Sequence, residues 1–495
     1  MQYNDATETE IRAALQQAWK DFHIYRKITF AKRRDFLYAI ADQLILKADE
    51  LVSISSGETN LQEQRLRSEI GRTAFQLRSY GDHTASGGWL DARIDTADDT
   101  RTPPKPDLRK TMVPVGPVAV FGASNFPFAY STAGGDTASA FAAGCPVVLK
   151  AHPAHAGTSE AVAGCIRAAV RKQGLPAGIF THIHGGSYEI GRLIVQDPNI
   201  KAVGFTGSMQ GGRALYDWAA QRPDPIPVFS EMGSINPVYL FPKKLQQDAE
   251  SIASDYAGSI TLGVGQFCTN PGLLIAVKGE GLDRFKNALR EELSSFKGGK
   301  MLHAGIATAY KEKRTKALAQ DDVTVLVAPG ETEGSATIAI ASATDFLSNS
   351  ILHQEVFGPY SLIIECNSIN EMLDVARKMD GQLTTTLIAF EDELVSNATL
   401  VETIQDNCGR LVFNGVPTGV EVCLAMQHGG PYPSCTDSRF TSVGADAIKR
   451  FIRPISFQNC PNALLPEELQ DENPLQFIRT INNISSKDIV NRNTN

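Results

Sequence analysis

Cys268 sits in Gly263-Val-Gly-Gln-Phe-Cys-Thr-Asn-Pro-Gly272, where glycines and a proline let the backbone come close to a ligand. A loop thiol ahead of a strand can attack a carbonyl carbon once it ionises. Most free cysteines are small buried hydrophobes, and local composition alone leaves both readings open. Glu231 closes the run Val228 to Ser230 beside Met232 and Gly233. Apolar neighbours are expected to raise its pKa toward the range of a general base, the alternative being a solvated strand end. Asn125 follows the run Val118 to Phe121, where its side-chain amide can donate to an oxyanion, although Asn-x-Pro is also ordinary turn chemistry. Gly204-Phe-Thr-Gly-Ser-Met-Gln-Gly-Gly212 joins a strand to a helix, the arrangement that presents free N–H groups to a phosphate.

Other chemistry is poorly represented. There is no G-x-G-x-x-G after a strand, no Walker-type loop, no G-x-S-x-G elbow and no H-E-x-x-H. His152 and His155, and His182 and His184, could bind a metal, but no carboxylate or cysteine lies beside either pair in sequence, so none is expected. The eight cysteines include no C-x-x-C pair, which fits reduced thiols, and packing is expected for all but Cys268. The net charge of −8 offers no basic surplus for a phosphate backbone, so nucleic-acid binding is not expected. No apolar run reaches the ~18 residues of a membrane span and the first ten residues lack a positive leader region, so a cytoplasmic protein is expected.

The elements that must position these residues follow from periodicity. Ala31 to Tyr80 repeats apolar residues at three- and four-residue steps and predicts a helical lead-in. Asp91 to Lys110, with Pro103, Pro104 and Pro106, predicts an edge strand or arm. Strands at 118–121, 147–150, 179–183, 200–205 and 228–230 alternate with helices around 132–143, 159–173, 188–195 and 209–220. That alternation predicts a parallel sheet with a ligand beyond its carboxyl ends. A second series, with strands at 273–277, 360–365, 383–390 and 411–414, predicts a second α/β domain. Gly415 to Ser434 predicts a long functional loop, and the last dozen residues are expected to fray.

Taken in order, these residues resemble the aldehyde dehydrogenase superfamily. The run extends from Asn125-Phe-Pro through Val-Val-Leu-Lys150, Gly204-Phe-Thr-Gly-Ser208 and Glu231-Met-Gly to Gly265-Gln-Phe-Cys268 and Glu355-Val-Phe-Gly-Pro359. Gly134-Gly-Asp-Thr-Ala-Ser-Ala140 and Lys150-Ala-His-Pro-Ala-His-Ala-Gly-Thr-Ser159 are similar to the bacterial α-ketoglutarate semialdehyde (2,5-dioxopentanoate) group and to NADP-dependent fatty aldehyde dehydrogenases.

The resemblance implies an α/β fold of two doubly wound parallel-sheet domains with a small β oligomerisation element. It assigns 1–95 and 115–242 to the dinucleotide-binding domain, 243–429 to the catalytic domain, 96–114 and 453–495 to the arm and tail, with 430–452 returning to the cofactor domain. A homodimer or homotetramer is expected. It further implies Cys268 as nucleophile, Glu231 as base for hydrolysis of a thioester, and Asn125 as oxyanion donor. Lys150, Gly207, Ser208, Glu355 and Phe357 would hold the dinucleotide. Pro153 stands where many NAD-preferring members carry an acid, so NADP is the expected cofactor and NAD the alternative, with His152 and His155 adding to Lys150. Arg78 is the candidate partner for a substrate carboxylate. Glu231-Met-Gly-Ser-Ile departs from the family's Glu-Leu-Gly-Gly-Lys, which leaves local packing to be explained. A long-chain aldehyde substrate, a catalytically silent protein on this scaffold and a cysteine hydrolase are the competing readings.

Overall fold

A computed structural model describes residues 3–490. The helical lead-in is α1 Glu8–Tyr25, α2 Phe30–Leu46, α3 Ala48–Thr59 and α4 Glu63–Ser86. The helical lead-in predicted over 31–80 is divided among the last three, which run on to Ser86. The first begins at a Thr7–Glu10 capping box and buries Ile11, Leu15, Ala18 and Phe22. On α4, Arg65, Glu69 and Arg72 recur at steps of four and three and so share one face.

The arm strands β1 Arg93–Asp95 and β2 Leu108–Pro114 come next, with the prolines in the connection between them. The first parallel series is β3 Val118–Phe121, β4 Val147–Lys150, β5 Phe180–Ile183, β6 Ala202–Thr206 and β7 Val228–Glu231. Its crossovers are α5 Gly135–Ala143, α6 Ala156–Lys172, α7 Tyr188–Gln196 and α8 Met209–Ala220. Strand order is β5-β4-β3-β6-β7, so the chain reverses direction across the sheet between β3 and β6, the place where a crevice opens. The ladders pair Phe121 with Lys150 and Phe205, and Thr206 with Glu231. Asn125, Lys150, Gly207 and Glu231 therefore all emerge at one rim.

The second series runs β8 Val238–Leu240, β9 Leu273–Val277, β10 Thr324–Val327, β11 Thr337–Ser342, β12 Tyr360–Cys366, β13 Gln382–Ile388 and β14 Cys408–Phe413, in sheet order β10-β11-β12-β9-β8-β13-β14. All its pairings are parallel except β10 with β11. Because β8 belongs to this sheet, the chain crosses between sheets before residue 238, earlier than the expected boundary at 242.

Finally β15 Ile452–Gln458, β16 Arg479–Ile481 and β17 Ile484–Ser486 join the arm in the order β15-β2-β1-β16-β17. The tail expected to fray is thus paired as far as Ser486, through Arg93–Thr480 and Thr480–Ser485, and residues 491–495 lie outside the described part. Separate apolar cores fill the space on the two sides of each parallel sheet, for example around Phe141 and Val203 in the first and Phe346 and Phe285 in the second.

Candidate active site

Gly263, Val264 and Gly265 have φ of +56°, +58° and +65°, a left-handed run that turns the chain out of α9 Pro242–Thr261 toward Cys268. A Cβ on Gly265 would stand 2.3 Å from the Gly358 carbonyl carbon, so only glycine seats this turn against Gly358-Pro359. Asn236 then holds the loop. Its Nδ2 donates to the Cys268 and Asn270 carbonyls, 2.9 Å each, and its Oδ1 accepts from Ser234 and Thr384. Gln382 Oε1 accepts from Ile235 N–H at 2.8 Å and lies 2.9 Å from Ser234 Oγ, so the departure from the family pattern after Glu231 is filled by a polar knot that fastens the site to β13.

Cys268, Glu231 and Asn125 line one cavity of about 560 Å3 together with Gly207, Ser208, His152, Glu355 and Phe357. Asn125 Nδ2 donates 3.1 Å to the Gln266 carbonyl, leaving its second N–H to the cavity. His428, which no sequence motif singled out, completes the cluster. Its Nε2 is 3.6 Å from Cys268 Sγ and 3.0 Å from Glu231 Oε1. Ser442 Oγ donates 2.6 Å to the other Glu231 oxygen. The segment carrying His428 is zipped onto β7: Met232 N–H donates to Ser434 O and Thr436 N–H to Ser230 O, with Glu231 bridged to Cys435. A Gly429-Gly430 pair within a Gly- and Pro-rich loop was the available signal. A Cβ on Gly430 would stand 2.1 Å from the Gln382 carbonyl oxygen, so this loop can close against β13 only as glycine.

The electrostatics correct one expectation. Burial pushes the Glu231 carboxyl up, but His428, the Ser442 hydroxyl and Arg450 outweigh it, and its pKa lies below the usual value. The thiol moves the other way: burial, then the carboxylates of Glu231 and Glu355, raise Cys268 well above the ordinary cysteine value. At neutral pH the cluster therefore holds an ionised Glu231 carboxylate beside a protonated Cys268 thiol.

The rest of the cavity suits a dinucleotide. α8 opens with Ser208 as N-cap, its Oγ accepting from Gly211 N–H, so the first-turn N–H groups face the crevice. The Gly207 N–H is itself spent on the Glu231 carbonyl. A Cβ on Gly233 would lie 2.6 Å from Glu355 Oε2, so the glycine makes room for that carboxylate, whose pKa burial raises. Lys313 lines the same wall and donates 3.0 Å to the Glu355 carbonyl. A helix N-terminus for a pyrophosphate and a carboxylate for ribose hydroxyls fit the donor and acceptor set of a nicotinamide dinucleotide.

The other expected residues stand in varied settings. Lys150 ends β4 half-buried, and burial lowers its pKa. His152 lines the cavity but accepts from Ala154 N–H, and burial beside His155 drops it well below the usual histidine value. His155 is buried against the Ala123 carbonyl, with its pKa likewise lowered by burial. Both rings are thus neutral and supply none of the positive charge expected of them. Pro153 is exposed at the start of a short turn. Arg78 does not reach the site: it pairs with Asp42 at 2.8 Å on the outer face of the helical layer. His182 and His184 meet a carboxylate after all, Glu160 of α6. All eight cysteines are unpaired, but Cys423 is exposed rather than packed.

Residues 1–454 match the aldehyde dehydrogenase family. The chain belongs to that family, an oxidoreductase class that acts on aldehydes with NAD or NADP as acceptor. It is 47% identical over 479 residues to "Alpha-ketoglutaric semialdehyde dehydrogenase 2" of Azospirillum brasilense, covering 96% of this chain and 91% of that protein. It is 42% identical over 489 residues to alpha-ketoglutaric semialdehyde dehydrogenase of Acinetobacter baylyi, covering 97% and 92%. Succinic semialdehyde dehydrogenase from Streptococcus pyogenes, solved with NADP+, superposes with a TM-score of 0.78 at 19% identity, covering 92% of this chain and 96% of that one, a likeness of fold. No described helix is long and apolar enough to cross a membrane.

Proposed function

We propose that the enzyme oxidises 2,5-dioxopentanoate, alpha-ketoglutaric semialdehyde, to 2-oxoglutarate, with NADP as the preferred acceptor. The near-full-length 47% identity to a relative of that name carries the substrate assignment. In the first step Sγ of Cys268 bonds to the aldehyde carbon as its proton passes to Glu231. The His428 Nε2–H donates to the sulfur as charge forms there. The oxyanion accepts from Asn125 Nδ2 and the Cys268 backbone N–H, donors of a kind worth about 3 kcal/mol each. When bound, the nicotinamide supplies the acceptor for the hydride lost from the hemithioacetal carbon. Glu231, returned to its carboxylate by losing the first proton to solvent, takes a second from the water that attacks the thioester. The C–S bond breaks, the acid leaves and the sulfur is reprotonated.

Lys150, Ser208 with the N–H groups that follow it, Glu355 and Phe357 would hold the dinucleotide. Lys150 is the cation at the ribose end, and Pro153 brings no carboxylate against a 2′-phosphate. The exposed apolar side chains of Leu464, Ile484 and Ile489 support oligomerisation through the arm sheet, which light scattering on the purified protein tests. The deciding experiment is a panel of aldehydes assayed with both dinucleotides. The highest kcat/KM is expected for 2,5-dioxopentanoate with NADP. A fatty aldehyde used more efficiently overturns the substrate, and a large NAD advantage overturns the cofactor.

A further inference from the structure

Three guanidinium groups gather behind the Asn125 and Tyr130 wall of the cavity and the loop at 417–420, each with a donor to spare. Arg410 on β14 gives its two terminal nitrogens to the Pro417 and Gly419 carbonyls, 2.6 and 2.9 Å, and its buried Nε–H has no partner. Arg72 on α4 reaches the same loop from the opposite side. Its Nη2 donates 3.2 Å to the Val420 carbonyl and 3.3 Å to Tyr130 Oη, while its buried Nη1 is unpartnered. Arg65, one face-turn away on α4, lies 4.9 Å from both the Phe126 and Phe267 rings and donates 2.8 Å to the Asn125 carbonyl, with Nη1 again buried and unpartnered. Tyr130 ties the group to the reaction centre: it lines the cavity with Cys268, and its ring centroid is 6.1 Å from that of His428.

Arg65, Arg72 and Arg410 thus each keep one buried N–H without a partner. Glu69, on the same face of α4 as Arg65 and Arg72, spends one carboxylate oxygen on the Phe128 and Ala129 N–H groups, 2.8 and 2.9 Å away. Buried guanidinium donors left unpaired are costly, whereas a carboxylate matches their planar fork.

We infer that Arg72 and Arg410, with Arg65 behind them, form the subsite that binds the carboxylate of an oxo-acid substrate and aligns its distal aldehyde with Cys268. The inference rests on the substrate class proposed above and names the residues that select it. An alternative is that these arginines only pin the loop at 417–420, and the test separates the two.

In the full enzyme with NADP, Arg410→Gln and Arg72→Gln are each compared with wild type on 2,5-dioxopentanoate and on pentanal, an uncharged aldehyde with the same number of carbons. The ratio of kcat/KM for the oxo-acid over pentanal is expected to fall at least about tenfold, chiefly through KM, with Arg410→Lys recovering part of the loss. Equal losses on both aldehydes, or an unchanged ratio, overturn the inference. Should wild type itself prefer pentanal, the substrate assignment fails separately. Glutarate then tests the pocket as a competitor of pentanal: a Ki weakened about tenfold or more in the variants supports it, and an unchanged Ki removes it.

Discussion

Among the described residues, two clusters join a glutamate to histidine within hydrogen-bonding distance, and one of them stands beside a thiol. In the first, Glu231 and His428 are 2% and 0% exposed and share the space around Cys268. In the second, Glu160, 33% exposed, meets His182 Nδ1 at 3.1 Å and His184 Nε2 at 3.0 Å, and Arg167 takes its other oxygen. The ingredients are nearly the same and the settings differ. The first cluster closes the seam between the two parallel sheets at the carboxyl rim of β7. The second sits at the outer edge strand β5, where water screens its charges. The contrast shows the same carboxylate and imidazole groups buried against a thiol and a crevice in one place and forming a partly exposed ion-pair network in the other.

Cys268→Ala should widen this contrast most, lowering turnover at least about 10⁴-fold because the covalent route is lost. Next, Glu231→Gln is expected to reduce kcat by about 10²–10⁴, and Asn125→Ala by about 10²–10³. Steady-state kinetics with a fixed aldehyde check both. If Glu160→Gln slowed turnover as much as Glu231→Gln, the distinction between the clusters would be broken. His428→Gln gives a smaller but more diagnostic effect. His428 helps hold the Glu231 carboxyl below its usual pKa against burial, so its loss lets that pKa rise. The acid limb of the kcat profile should therefore move to higher pH in the variant, and an unmoved limb would exclude coupling between the two.

The smallest effect concerns stability. Burial holds His152, His155 and His182 below the usual histidine pKa, so the folded state favours their neutral forms. That contribution is complete above the unfolded value of about 6.5 and is lost as pH falls below it. Glu160, lowered chiefly by its hydrogen bond from His182, loses its own contribution only below about pH 4.5. Melting temperature should decline from pH 7 to 5.5. Glu160→Gln should cost about 1 kcal/mol or less at neutral pH; a larger loss would make the outer cluster a structural keystone.

Much of the frame was legible in the chain. The short β-branched runs at 118–121, 147–150 and 228–230 fell close to β3, β4 and β7, because a fully buried parallel strand must be a short apolar stretch between turns. β8, of three residues, and β11, Thr337–Ser342, built largely from small residues, carried too little pattern to be read. Cys268, Glu231 and Asn125 were legible because each follows or precedes such a strand, and the register brings them to one cavity. His428 was not: it lies 160 positions from Cys268 in a loop whose own composition names no partner.

By itself, then, the sequence determined the order of strands and helices, the turns that need glycine and the candidate nucleophile, since backbone hydrogen bonding and side-chain periodicity act between near neighbours in the chain. Only the tertiary structure decided which charges meet. It set Glu231 below its usual pKa instead of above, kept His152 and His155 neutral, sent Arg78 to Asp42 and brought Arg72 and Arg410 onto one loop. Coulomb and hydrogen-bond energies depend on distances of a few ångströms and on burial, and neither is a property of position along the chain.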